Sequence, residues 1–137
     1  YAIEAVLDIA LHSGLEPVRN ESIAKRQGIP KRYLEQTLQT LVKARILVAS
    51  RGPKGGYRLA KERRKIRISD IILSIINIQD KELNYKSSLS KNVIRPLFNQ
   101  LHKTCHKQLD QVTVEEIYKK IKKSAKNNKK ENLDFVI

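Results

Sequence analysis

Lys31, Arg32, Glu35, Gln36 and Gln39 all carry side chains that hydrogen-bond base edges or phosphate oxygens, and their spacing puts them on one face of a helix. A second polar group follows downstream, where Arg51, Lys54 and Arg58 make the stretch around Gly52-Pro53-Lys54-Gly55-Gly56 cationic. Neither grouping suits catalysis. The glycine-rich stretch lies between expected strands and lacks the Walker spacing, and no serine, histidine and acid arrangement or metal-protease helix is present. Glu35 and Asp70 have simpler uses, as a base contact and as a first-turn helix acid. The chain is not expected to be an enzyme.

The elements that must hold these side chains are legible around them. Leu34, Leu38, Leu41 and Val42 recur at i, i+4, i+7 and i+8, which makes residues 31–43 an amphipathic helix with the polar group facing out. A shorter helix, with Asn20 as its expected N-cap and Ile23 and Ala24 inward, precedes it across a turn at Gly28-Ile29-Pro30. Leu47 to Arg51 and Tyr57 to Ala60 read as two strands joined by the glycine-rich tip. Alone, the helix is an ordinary amphipathic helix and the tip an ordinary solvated turn. In this order they make a winged helix-turn-helix, whose second helix suits a major groove and whose basic ribbon suits a minor groove.

Ala5-Val6-Leu7-Asp8-Ile9-Ala10, Arg26-Gln27-Gly28-Ile29, Tyr33-Leu34-Glu35-Gln36 and the block Arg51-Gly52-Pro53-Lys54-Gly55-Gly56-Tyr57-Arg58-Leu59 resemble the Rrf2 family of bacterial transcription regulators. Its members include an iron–sulfur cluster regulator, a nitric-oxide-sensitive repressor and a cysteine-metabolism repressor. The resemblance is dense from Tyr1 to about Ile78 and implies a homodimeric regulator, a repressor, bound to a pseudo-palindromic site on double-stranded DNA. Two departures stand out. Where the family usually has glycine after the recognition helix, this chain has Arg45, so either the helix ends differently or a left-handed residue costs roughly 1 kcal/mol. Cluster-binding relatives carry three cysteines in the region of residues 80–90, and here there are none. No cofactor is therefore favoured, and an iron–sulfur cluster would need atypical ligands. The resemblance leaves control by a protein such as cysteine synthase, or by Cys105 chemistry.

Composition agrees with an acidic partner. The chain has 137 residues, a formal charge of +14 and a pI near 10.0. Between Lys43 and Arg67, ten Lys or Arg residues face the single acid Glu62, and Lys119 to Lys130 contains no acid at all. Residues 61–67 read equally as a solvated strap or a phosphate clamp. A single cysteine excludes an internal disulfide and fits a reducing cytoplasm. The longest apolar run, Ile71 to Ile76 with Ser74 inside it, is too short to span a bilayer, so no membrane role is expected. The chain opens at Tyr1, inside an expected helix and without Met, so a few upstream residues are expected.

The fold class expected is mainly α with a small β-hairpin: a winged helix-turn-helix over residues 1–68, a helical dimerisation region with one long helix over 69–123, and a basic mobile tail over 124–137. Ser69 is the expected N-cap of a helix from Asp70 to Ile78, and residues 80–90 an expected loop. Ile72 and Ile76, with Ile94, Phe98, Leu101 and Cys105 on a later helical stripe, are the expected dimer surface, and Pro96 places the regular start of that helix near itself. Thr113-Val114-Glu115-Glu116 reads as a capping box. Leu133 to Ile137 is apolar enough to dock on some surface. His102, Cys105 and His106 have spacing that can hold a metal, against the plainer reading of Cys105 as a small buried apolar residue. Two other functions compete with sequence-specific regulation: non-specific nucleic-acid binding by a basic protein, and a protein-partner adaptor with vestigial DNA binding.

Overall fold

The structure, a computed structural model, describes residues 1–76 and 86–134. Six helices and one hairpin follow in the order α1 (Ala2–His12), α2 (Asn20–Gln27), α3 (Lys31–Lys43), β1 (Leu47–Ser50), β2 (Gly56–Leu59), α4 (Ile68–Ile75), α5 (Arg95–Asp110) and α6 (Val114–Asp134). A 3-10 turn at Arg63–Lys65 joins the hairpin to α4, and a π turn at Ser90–Ile94 leads into α5. The expected mainly α architecture with one small hairpin is what forms.

The apolar stripe of α3 does what its spacing requires. Leu34, Leu38 and Leu41 are wholly buried against Val6 and Ile9 of α1, Ile23 of α2 and Ile71 of α4, in an aliphatic core. α2 ends on Gly28 at φ 65, the left-handed position that glycine takes without a Cβ penalty. The hairpin is antiparallel, with Leu47 opposite Leu59 and Ser50 opposite Gly56, so its expected strands are each shifted or shortened by one residue. Val18 adds a third edge: its N–H donates to the Tyr57 carbonyl at 2.9 Å and its carbonyl accepts from the Tyr57 N–H at 2.8 Å. That close approach explains Gly56, since a Cβ there would lie 2.6 Å from the Val18 carbonyl oxygen.

Arg45 does adopt the left-handed conformation, at φ 58. The Ile46 N–H reaches the Leu41 carbonyl and the Arg45 N–H the Val42 carbonyl, both at 3.0 Å, which is the double closure of a Schellman end with Ile46 packed over Leu41. Arg45→Gly is therefore expected to stabilise the fold by about 1 kcal/mol, read as a higher urea midpoint; a lower midpoint would mean that the arginine side chain outweighs its backbone strain.

Several boundaries differ from expectation. α2 is entered through Arg19, with Asn20 already its first helical residue. α4 begins at Ile68 because the Asp70 carboxylate accepts from the Arg67 N–H at 3.0 Å and so fixes the first turn one residue ahead of Ser69. Ser69 is buried and donates instead to Asp110 at 3.0 Å. Ile78 and residues 80–85 lie outside the described residues, whereas Ser88–Ser90 are helical and not loop. Pro96 is the second residue of α5 directly after the π turn, with Ile94 and Arg95 already helical, so the helix runs through it and the widened turn falls just ahead of the residue that has no N–H to give. Thr113 and Glu116 form the expected reciprocal cap, at 3.1 and 3.3 Å. α6 continues to Asp134, so the loss of an apolar face after Lys123 ends the amphipathic pattern and not the helix. Of the apolar end at 133–137, residues 135–137 lie outside the described residues.

The segment 61–67 is a structural strap. Arg63 pairs with Glu115 at 2.7 Å and stacks over Tyr118, Arg67 pairs with Asp110 at 2.6 Å, and Arg64 and Lys65 pair with Glu62. Backbone bonds at 2.9 Å from the Ile68 N–H to Val112 and from the Val114 N–H to Ile66 staple it to the corner between α5 and α6. Only Lys61 has no partner there among the described residues. The phosphate-clamp reading of the whole strap therefore gives way to a brace that fixes the base of α5 on the head.

Candidate nucleic-acid interface

The polar face of α3 is turned to solvent, with Lys31, Arg32, Glu35, Gln36 and Gln39 all exposed. Arg32 and Gln39 have no intramolecular side-chain partner among the described residues, and the Gln36 side chain is equally free. Lys31 pairs with Glu21 at 2.9 Å, and its partner raises the ammonium above its ordinary pKa while the carboxyl falls below its own. Both groups are fully exposed, so the pair is readily exchanged for a phosphate.

Three consecutive residues at the entry of α2 hold the head together, and none was evident in the sequence. The Arg19 guanidinium donates to the Pro53 carbonyl at the hairpin tip at 2.7 Å, Asn20 donates to Glu35 at 3.4 Å, and Glu21 takes Lys31. These contacts span 34, 15 and 10 residues of chain, so no local pattern announces them. Their effect is to fix the wing tip and the outer face of α3 to the same helix end.

On the wing, Arg51 is exposed and without a partner among the described residues. Lys54 makes only a loose, exposed approach to Glu16 at 3.9 Å. Arg58 has an intramolecular role as well: its guanidinium donates to the Gly14 carbonyl at 2.8 Å and to the Leu15 carbonyl. Residues 14 and 15 belong to the loop after α1, which would otherwise leave these carbonyls to solvent. Arg58 thus clamps this loop, and a DNA contact by it belongs to the proposed reading.

Beneath the reading face, Asp8 is the one buried acid among the described residues, and it accepts from Arg26 Nε at 2.9 Å, Arg26 Nη2 at 2.7 Å and Gln27 Nε2 at 2.7 Å. Burial pushes its carboxyl up, but the Arg26 and Gln27 hydrogen bonds and the Arg26 charge outweigh burial and hold it below its ordinary pKa. The cluster locks α2 onto α1.

The expected dimer residues form an open apolar surface. In the single chain Phe98 is 62% and Leu101 52% exposed, and Ile76, Leu97 and Val93 are exposed with them. Ile72 is half-buried against the core, and Cys105 is exposed, so it is no buried core residue of this chain. His102, Cys105 and His106 do not make a metal site: among the described residues no group of three or more His, Cys, Asp or Glu side chains is placed to hold an ion. All three sit on one helix, and among the described residues no ligand from another element joins them.

A family model described as "Iron-dependent Transcriptional regulator", Rrf2, matches residues 1–120. The chain belongs to the Rrf2 family. Over 75 residues it is 45% identical to the HTH-type transcriptional regulator IscR of Vibrio campbellii, a match covering 55% of this chain and 45% of that protein. It thus spans less than half the length of the curated relatives it matches. Among solved structures, T. potens IscR is 34% identical with a TM-score of 0.71, covering 90% of this chain and 85% of that one. CymR, described as the global cysteine regulator of B. subtilis, is 28% identical with a TM-score of 0.67, covering 87% and 91%. These relatives are regulators and not enzymes. The donors in this Rrf2 chain do not fit an iron–sulfur cluster, because it has one cysteine in total, on an exposed helix, and such clusters are held by several thiolates. Among the described residues no helix is long and apolar enough to cross a membrane.

Proposed function

We propose that this Rrf2 chain is a sequence-specific DNA-binding transcriptional regulator, a repressor that acts as a homodimer on a pseudo-palindromic site in the bacterial cytoplasm. The observation that carries this reading is an outward face of α3 whose Arg32, Gln36 and Gln39 side chains are unpartnered among the described residues, beside a hairpin pinned through Arg19 whose Arg51 is unpartnered among them too. Arg32, Gln36 and Gln39 meet base edges in the major groove, and Lys31 and Glu35 exchange their intramolecular partners for DNA. Arg51 enters the minor groove, with Lys54 on a neighbouring phosphate. The likeness to IscR and CymR supports the same reading.

In this reading residues 1–68 are the DNA-binding head and 69–123 the dimerisation region, and 124–137 form a basic extension. Ile72, Ile76, Ile94, Phe98, Leu101 and Cys105 lie at or beside the seam between copies. Because the strap fixes the base of α5 to the head, pairing α5 with its symmetry mate sets the spacing of the two reading faces. Phe98→Asp is expected to convert a sedimenting dimer into a monomer; an unchanged dimer mass would remove α5 from the interface. Control comes without a cluster, from a partner protein such as cysteine synthase or from Cys105 chemistry at the seam. Selection from a random duplex library tests the whole reading: it should return an inverted repeat with half-sites about one helical turn apart, and a library left without any enriched sequence would refute it.

A further inference from the structure

We infer that the lysine face of α6 and the basic cavity at the base of the wing form a track for the phosphate backbone of duplex DNA flanking the site that α3 and the wing read. The inference rests on the proposed DNA reading but concerns surfaces outside it. The cavity, about 650 Å³, lies between the end of α1, β2, the strap and the first turns of α6, and its lining includes Lys61 and Lys119, with Arg64 paired to Glu62. Lys61 is exposed and unpartnered among the described residues. Lys119 only approaches Glu115, at 3.8 Å, and that carboxylate is already held by Arg63. From Lys119, the residues at i+4, i+7 and i+11 are Lys123, Lys126 and Lys130, so the cavity's basic wall continues along one face of the helix.

This face is not an ordinary solvated one. From Ile117 to Lys130 there is no acid, and lysines repeat at i, i+3 and i+4 along the stripe, where like charges destabilise a helix. A polyanion relieves that repulsion by replacing it with phosphate contacts. The chemistry selects duplex over other polyanions. The opposite side after Ile121 carries Ser124 and Asn128, so no apolar face exists to enter a lipid surface. No aromatic residue lies between Lys119 and Lys130 on which single-stranded bases would stack, and Tyr118 is covered by Arg63 at 3.7 Å. Lys119 to Lys130 extends roughly 17 Å along the helix, matching about five base pairs of backbone.

The test uses the full chain and a triple variant, Lys123→Gln, Lys126→Gln and Lys130→Gln, in which glutamine keeps helix propensity. Binding is measured against salt on a short duplex covering the selected site and on one lengthened by about ten base pairs at each end; if selection returns no site, random-sequence duplexes of the same two lengths serve. The wild type should show a steeper log–log salt slope on the longer duplex, and the triple variant should cut that difference by about three per protomer. Equal slopes in the wild type, or a length effect undiminished in the variant, overturn the track. A larger loss on single-stranded RNA of the longer length than on the longer duplex overturns it as well. Loss of sequence preference with the length effect intact would count against the proposed reading face alone.

Discussion

Arg51→Ala is expected to weaken binding to the selected site by about 1–3 kcal/mol while leaving thermal unfolding unchanged. The two halves of that expectation have separate causes. Arg51 lies just past β1, is exposed, and forms no bond or ion pair within the described residues, so the fold loses nothing when it is truncated. Its position is nevertheless fixed, because the tip it precedes is pinned by Arg19 at Pro53 and by the close packing of Gly56 on Val18. An arginine held out on a narrow ribbon enters a narrow minor groove with little further loss of freedom. Fluorescence anisotropy at moderate salt measures the effect, and an unchanged affinity would remove the wing from the interface. Arg58→Ala should behave oppositely: it frees the carbonyls of Gly14 and Leu15 and should lower the urea midpoint more than it alters site preference.

Arg26→Ala is expected to destabilise the protein by about 2–3 kcal/mol near neutral pH. Asp8 has no exposed side-chain surface, and without the two guanidinium bonds its carboxylate keeps the uncharged Gln27 amide as a hydrogen-bond donor, with His12 3.6 Å away. Arg26 is about a third exposed and regains some hydration when unpaired, which places the native pair at the lower end of buried ion pairs. The pH dependence follows from the direction of the Asp8 shift. Its folded pKa is depressed below the unfolded value of about 3.9, so the stabilisation is complete above that pH and is lost as pH falls through the lower folded value. The gap between wild type and Arg26→Ala should accordingly narrow in acid, below about pH 4. A gap that stays constant from neutral pH into that range would mean that Arg26 acts by packing and not by charge.

Local patterns were the legible part of this chain. The stripe of α3, the glycine-bearing hairpin and the Thr113–Glu116 cap are each set by residues within a few positions of one another, and each forms, the hairpin with its strands moved or cut by one residue. What escaped are long side chains closing gaps between elements far apart in sequence. Arg19, Asn20 and Glu21 look like any polar helix start until the wing and α3 are beside them, and the clamp of Arg58 on the loop after α1 shows only once those carbonyls come within reach. The strap shows the same effect, since the acids that neutralise Arg63 and Arg67 are Glu115 and Asp110, contributed by α6 and α5. Ser69 failed as a cap because two local solutions competed, and the Asp70 carboxylate took the earlier backbone N–H. In α6 the apolar face ends before the helix does, and no glycine or proline follows to stop it.

A charge of +14 would by itself draw this protein to any nucleic acid, so affinity alone says little about the reading face. The deciding quantity is a ratio: the affinity of the dimer for its selected duplex over that for the same duplex scrambled, at about 0.15 M salt. If α3 and the wing read sequence, the ratio should reach about a thousandfold or more. A ratio near one, with both affinities collapsing together as salt rises, would contradict it and leave a basic protein that holds DNA without reading it.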